Sequence, residues 1–171
     1  MQARTNDETE IGSSEGEILL IGALRRAAAG QGGGALTRRD FAIAFPGDAD
    51  EVLMTFRAFL ATLAHAGRRK LRIGLPGSSL TMPDETLLIT LLAAAQAGDD
   101  ELVDAYLCWL ARPGARASVA ITARALATAL AVHGHWLGTP ISRHREEPEG
   151  DEAICRRRGP KRKEIASLRL Q

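Results

Sequence analysis

The sequence predicts a mainly α-helical fold of five to six helices with one small β-hairpin, and three observations carry that expectation. Apolar residues recur at helical spacing through most of residues 17–135. Glycines close five of these segments, at Gly30, Gly67, Gly98, Gly114 and Gly134, where a helix C-terminus favours a residue that tolerates positive φ. A single stretch, Lys70-Leu71-Arg72-Ile73-Gly74-Leu75, alternates polar and apolar with period two instead.

The elements follow in order. A first helix is expected over Glu17 to about Ala29, with Ile18, Ile21, Leu24 and Ala28 on its buried face. Gln31 to Ala35 reads as a flexible connector. Its glycines lack the following Lys-Ser or Lys-Thr that a phosphate-binding loop needs. Thr37 is the expected N-cap of a short helix, with Asp40 three residues on, and Phe41 and Phe45 stand four apart before Pro46-Gly47 breaks it. Asp48 or Asp50 then opens a longer helix to Ala66, with a buried stripe of Val52, Leu53, Phe56, Phe59, Leu60 and Leu63.

The period-two stretch, followed by Pro76-Gly77-Ser78-Ser79 and a short Leu80-Thr81, reads as a β-hairpin over residues 70–81. Pro83, Asp84 and Glu85 make an acidic start for a helix over Asp84 to Ala97. Gly98 ends it, and Asp99 caps the next, which runs through Ala111. The last helix, about Ala115 to His133, carries Val119, Ala123, Leu126, Ala127 and Leu130 on one side. The core expected from these patterns contains Phe41, Phe45, Leu53, Phe56, Leu60, Leu88, Leu92, Leu107 and Leu126, with Cys108 inside it and Trp136 as a lid on its edge.

Charge is segregated along the chain, which a formal net charge of +1 over 171 residues conceals. Residues 1–17 carry −4, residues 139–155 carry −3, and residues 156–171 carry +6, from Arg156, Arg157, Arg158, Lys161, Arg162, Lys163 and Arg169 against the single acid Glu164. Blocks of like charge without apolar periodicity are the composition of disorder. Four segments result: an acidic disordered N-terminus over 1–16, a winged-helix-like module over 17–82, a three-helix module over 83–138 packed on it, and a disordered tail over 139–171, acidic then basic. A basic run beside Gly159 and Pro160 cannot bury itself, so it either attracts polyanions or serves only to keep the chain soluble.

The order helix, connector, short helix, tight turn, longer helix, basic hairpin resembles the architecture of a winged helix-turn-helix module. In that arrangement residues 50–66 would enter the major groove and the hairpin would reach the flanking backbone. Arg68, Arg69, Lys70 and Arg72 then fall where a wing needs phosphate contacts. One departure stands out: Asp50 and Glu51 occupy the end of the recognition helix that would face the phosphates, where acids are neutral or repulsive. Residues 87–107 also resemble one ankyrin-type helical hairpin, but a single copy cannot bury its own faces.

No motif in the sequence implies catalysis. His133-x-His135 does not place both imidazoles on one helical face, and the route to His144 or Cys155 crosses the acidic stretch, so no metal site is expected. Asp99, Asp100, Glu101 and Asp104 are accounted for by the helix macrodipole. Cys108 and Cys155 form no disulfide framework, the N-terminus is acidic rather than signal-like, and the longest apolar run, Leu87 to Ala97, is too short to span a bilayer. The expectation is therefore a cytoplasmic, non-enzymatic regulatory or adaptor protein without cofactor or membrane insertion. Its nucleic-acid contacts, to DNA or RNA, would be Arg68, Arg69, Lys70, Arg72, Arg156, Arg157, Arg158, Lys161, Arg162 and Lys163. The alternative is a protein-interaction or self-association module that uses helices 84–111 and has no nucleic-acid role.

Overall fold

A computed structural model describes residues 14–138. They form six α-helices: α1 (Glu15–Ala28), α2 (Ala35–Ala44), α3 (Ala49–Ala66), α4 (Pro83–Ala97), α5 (Asp100–Leu110) and α6 (Arg116–Val132), with one 3-10 turn at Pro113–Ala115 before α6. Local chemistry sets most boundaries. Ser14 accepts from the Glu17 amide at 3.2 Å to open α1, and Arg25 and Arg26 sit in its last turn where the helix dipole favours cations. Asp99 accepts from the Leu102 amide at 2.9 Å to open α5, directly after Gly98 has ended α4 with a left-handed φ of 71°.

The core joins all six helices. α6 lies along α3 and α4, α5 closes against α4 and α6, and α1 bridges α4 and α2. Phe41, Phe45, Phe56 and Phe59 are fully buried, with ring centroids of 5.4 Å for Phe41–Phe45 and 5.7 Å for Phe41–Phe56. Each such side chain contributes about 1.5–3 kcal/mol by burial. α4 is apolar almost all round, so it sits inside the bundle with Leu88, Leu91, Leu92 and Ala94 buried. Pro113–Val132 is apolar and long enough to cross a membrane by length and composition, and one face of it is the wall of Val119, Ala123, Leu126 and Leu130 against the core.

The two ends of the described chain meet. Gln96 donates to the carbonyls of His135 (2.9 Å) and Ala127 (3.3 Å) and accepts from the Leu137 amide (2.9 Å), while Glu17 accepts from the Gly138 amide at 3.1 Å. Gly16 permits this approach, because a Cβ there would stand 3.2 Å from that of His135.

Several expectations require correction. Among the described residues there is no β-strand, and the hairpin over 70–81, with the wing it would supply, does not form. A hairpin needs backbone amides paired across strands. Here the Arg72 amide donates to Asp84 (2.7 Å) and the Gly74 amide to Glu85 (3.0 Å), so side-chain carboxylates hold what a partner strand would have held. The pairing that remains is an isolated antiparallel bridge between Gly67 and Ala111.

On α1 the buried face is Glu17, Leu20, Ala23, Leu24 and Arg25; of the expected stripe Leu24 is buried and Ile21 partly so, whereas Ala28 is exposed and Ile18 is 62 % exposed. Thr37 does not cap α2, which starts at Ala35; it is buried and accepts from Arg26 Nε at 2.9 Å. Cys108 and Trp136 are exposed rather than core and lid. Of the nine expected core residues all are buried except Leu60, which is partly so. The segments 1–13 and 139–171, with the expected disorder there, lie outside the described residues.

Candidate functional site

The chain between α3 and α4, residues 67–82, has no regular structure, and three side chains outside its span organise it. Arg25, near the end of α1, reaches both carboxylate oxygens of Glu85 at 2.8 Å and also donates to the carbonyls of Ser78 and Leu80 (2.7 Å for Leu80). Glu85 is fully buried at the third position of α4. Besides Arg25 it accepts from the amides of Met82 (2.8 Å) and Gly74 (3.0 Å), the first being half of a capping box. Asp84 takes the guanidinium of Arg69 through two bonds of 2.6 and 2.7 Å and the Arg72 amide at 2.7 Å.

Protonation follows from these contacts. The Arg69 guanidinium holds Asp84 down from its ordinary 3.8 to about 2, against the opposing effect of burial and with help from the Arg72 amide. Burial alone would push Glu85 up, but Arg25 and the amides of Met82 and Gly74 overcome it and hold the carboxyl below its usual value. Arg25 and Arg69 are raised by the same hydrogen bonds, to Glu85 and Asp84 respectively.

The sequence-predicted basic residues therefore occupy unequal positions. Arg68, Arg69, Lys70 and Arg72 are all exposed, within one short stretch of chain. Arg69 is neutralised by Asp84. Arg68 donates to the carbonyl of Cys108 at 2.8 Å, a tether that leaves its charge uncompensated. Among the described residues no acid lies within ion-pair distance of Lys70 or of the Arg72 side chain, although the Arg72 charge helps to hold the Asp84 carboxyl down. Arg156, Arg157, Arg158, Lys161, Arg162 and Lys163 lie outside the described residues. Of the alternative contact over 84–111, α4 is taken up by the core, and only α5 offers an outer face, with Trp109 75 % exposed.

The basic stretch also borders a feature that sequence reasoning missed. A half-open pocket of about 690 Å³ lies between α1, α3 and residues 67–73. α1 contributes Leu24, Ala27 and Ala28, and α3 contributes Leu60, Leu63 and Ala64. Leu71, Ile73, Leu88 and Leu110 add to the apolar lining, and Arg68, Arg69 and Lys70 are its charged members. Small residues on both helices, together with Gly67, leave the space that larger ones would fill. The apolar half of the period-two pattern, Leu71 and Ile73, was the one available signal. It marked a surface facing something apolar, which is the pocket and not a sheet.

The pocket is preformed by backbone pairing. The Arg68 amide donates to the Leu110 carbonyl at 3.1 Å and the Arg112 amide to the Ala66 carbonyl at 2.9 Å, pinning the start of the segment to the end of α5. No carboxylate, imidazole, hydroxyl or thiol is among the lining groups. Such a surface can desolvate an apolar group and attract an anion. No protein-family model, no curated protein and no solved structure matches this chain.

Proposed function

We propose that this chain is a non-enzymatic binding module whose ligand site is the apolar pocket between α1, α3 and residues 67–73. The observation that carries this reading is a half-open aliphatic pocket of about 690 Å³, within the size range of small-molecule sites, with Arg68, Arg69 and Lys70 as its charged lining residues. The test is nuclear magnetic resonance of the full chain with 1-decanol, a neutral apolar ligand, read at the methyl groups of Leu60, Leu63, Leu71 and Ile73. Saturable shifts at these methyls are expected. Ala64→Trp, at an exposed helix position on the pocket wall, should abolish them while leaving the helical circular dichroism unchanged. Shifts absent from the pocket, or unaltered by this variant, overturn the reading.

A second reading keeps polyanion contact, for which the exposure of Lys70 and Arg72, neither within ion-pair distance of an acid among the described residues, is the support. In that reading these side chains and the basic run at 156–163 attract phosphates through charge alone.

A further inference from the structure

We propose that the pocket's ligand is a free single-chain amphiphile with an anionic head, its alkyl chain lying between α3 and the wall of Leu71 and Ile73, and its head at Arg68 and Lys70. This assignment rests on the pocket being a binding site and adds the chemistry of what fills it. Three features select that class. The walls are aliphatic, with no aromatic ring among them, so they suit a flexible chain better than a planar ring that would gain from stacking.

The charge on the lining is one-sided. Arg69 is cancelled by Asp84, but Arg68 is bound only to a neutral carbonyl and Lys70 has no acidic partner among the described residues. Both line an apolar cavity without a carboxylate in it. An anion arriving there exchanges water for charge-assisted hydrogen bonds, while a cationic head would meet two like charges. Finally, the cations and the apolar wall adjoin along the chain: Arg68, Lys70, Leu71 and Ile73 all line the pocket within six residues, so a head held at the cations has apolar side chains beside it for its tail.

The experiment titrates the full chain with decanoate, 1-decanol and decyltrimethylammonium, each below its aggregation concentration, and in a parallel arm with phosphatidylglycerol vesicles. Decanoate is expected to bind at least about tenfold more tightly than decanol, with decyltrimethylammonium weakest. The preference should vanish in Arg68→Gln/Lys70→Gln while decanol binding persists, which shows that the pocket itself is intact. Equal affinity for decanoate and decanol overturns this assignment and leaves the pocket as a neutral apolar site. Binding to vesicles without binding of decanoate also overturns it, because the cations then serve a bilayer surface. If decanol too fails to reach the pocket methyls, the binding-module reading falls with it.

Discussion

Arg25 and Glu85, sixty positions apart in sequence, form a two-bond ion pair inside the fold, with side-chain exposures of 7 % and 0 %. The pair links α1 to the start of α4, and through the other donors and acceptors on the same two groups it fixes residues 74–82 between them. Removing one partner strands the other charge in an apolar setting. Arg25→Met should therefore cost about 3–5 kcal/mol in urea denaturation. A loss within about 0.5 kcal/mol would show that the pair is solvated.

Acid should release the same segment. Asp84 and Glu85 both have folded pKa values below their unfolded ones of 3.8 and 4.5, so their joint contribution is fully present only above about pH 5 and is lost as pH falls toward 2. Hydrogen exchange at the Arg72 and Gly74 amides, corrected for intrinsic rates, should accelerate about tenfold or more across that window, ahead of amides in α6. Simultaneous loss of protection in both places would mean that the carboxylates support the whole fold and not the segment alone.

The register of α1 separates two side chains of similar size. Leu20→Ala should cost about 2–5 kcal/mol, whereas Ile18→Ala should stay within about 0.5 kcal/mol, because the first is fully buried and the second 62 % exposed. Thermal or urea unfolding of the two variants decides it, and a reversed order would restore the phase expected from the sequence.

Gly98 tests backbone conformation apart from packing. A Cβ there would meet nothing within 4 Å, yet φ is 71°, so Gly98→Ala should lose about 1 kcal/mol through conformation alone. An unchanged unfolding midpoint would mean that the α4–α5 turn relaxes to another geometry.

For the polyanion reading, truncation before Arg156 should weaken binding to all DNA sequences alike and flatten the slope of log K against log salt by several units, at about 0.9 per lost phosphate contact. Arg69→Ala/Arg72→Ala should cost less total affinity and reduce discrimination between target and random DNA. Since Arg69 already spends its charge on Asp84, the larger share of that effect belongs to Arg72. Absence of any salt-dependent binding at low ionic strength removes this reading.

How much of this was legible in the sequence depends on where the determining groups lie. Helices α3 to α6 were read within one or two residues at most ends, because Asp99, Gly98 and Pro83 act on their immediate neighbours and a stripe such as Val52, Phe56, Phe59 and Leu63 states its own period. α1 was found but rotated, because Glu17 and Arg25 point inward to partners at Gly138 and Glu85 that hydropathy cannot foresee. Residues 70–75 show the strongest failure. Leu71 and Ile73 there line an apolar pocket while Leu75 is 78 % exposed, and a period-two pattern does not say whether a second strand exists to complete a ladder. The exposure of the basic stretch at 68–72 follows from its composition, but the neutralisation of Arg69 depends on a carboxylate fifteen positions away. The pocket was invisible for the same reason, since its walls come from four separated places in the chain: residues 24–28, residues 60–73, Leu88 and Leu110.

The path of residues 72–82 is written in Arg25, Asp84 and Glu85 more than in the residues that follow it. This divides the labour between a template and what it shapes. Leu75 to Gly77, exposed and with a left-handed Gly77 at the bend, lie between the Gly74 amide and the Ser78 carbonyl that the template holds, and can be exchanged as cargo, for instance to carry an epitope or a fluorophore. The converse substitutions, at the two acids, would erase the segment's shape without altering a single residue within it.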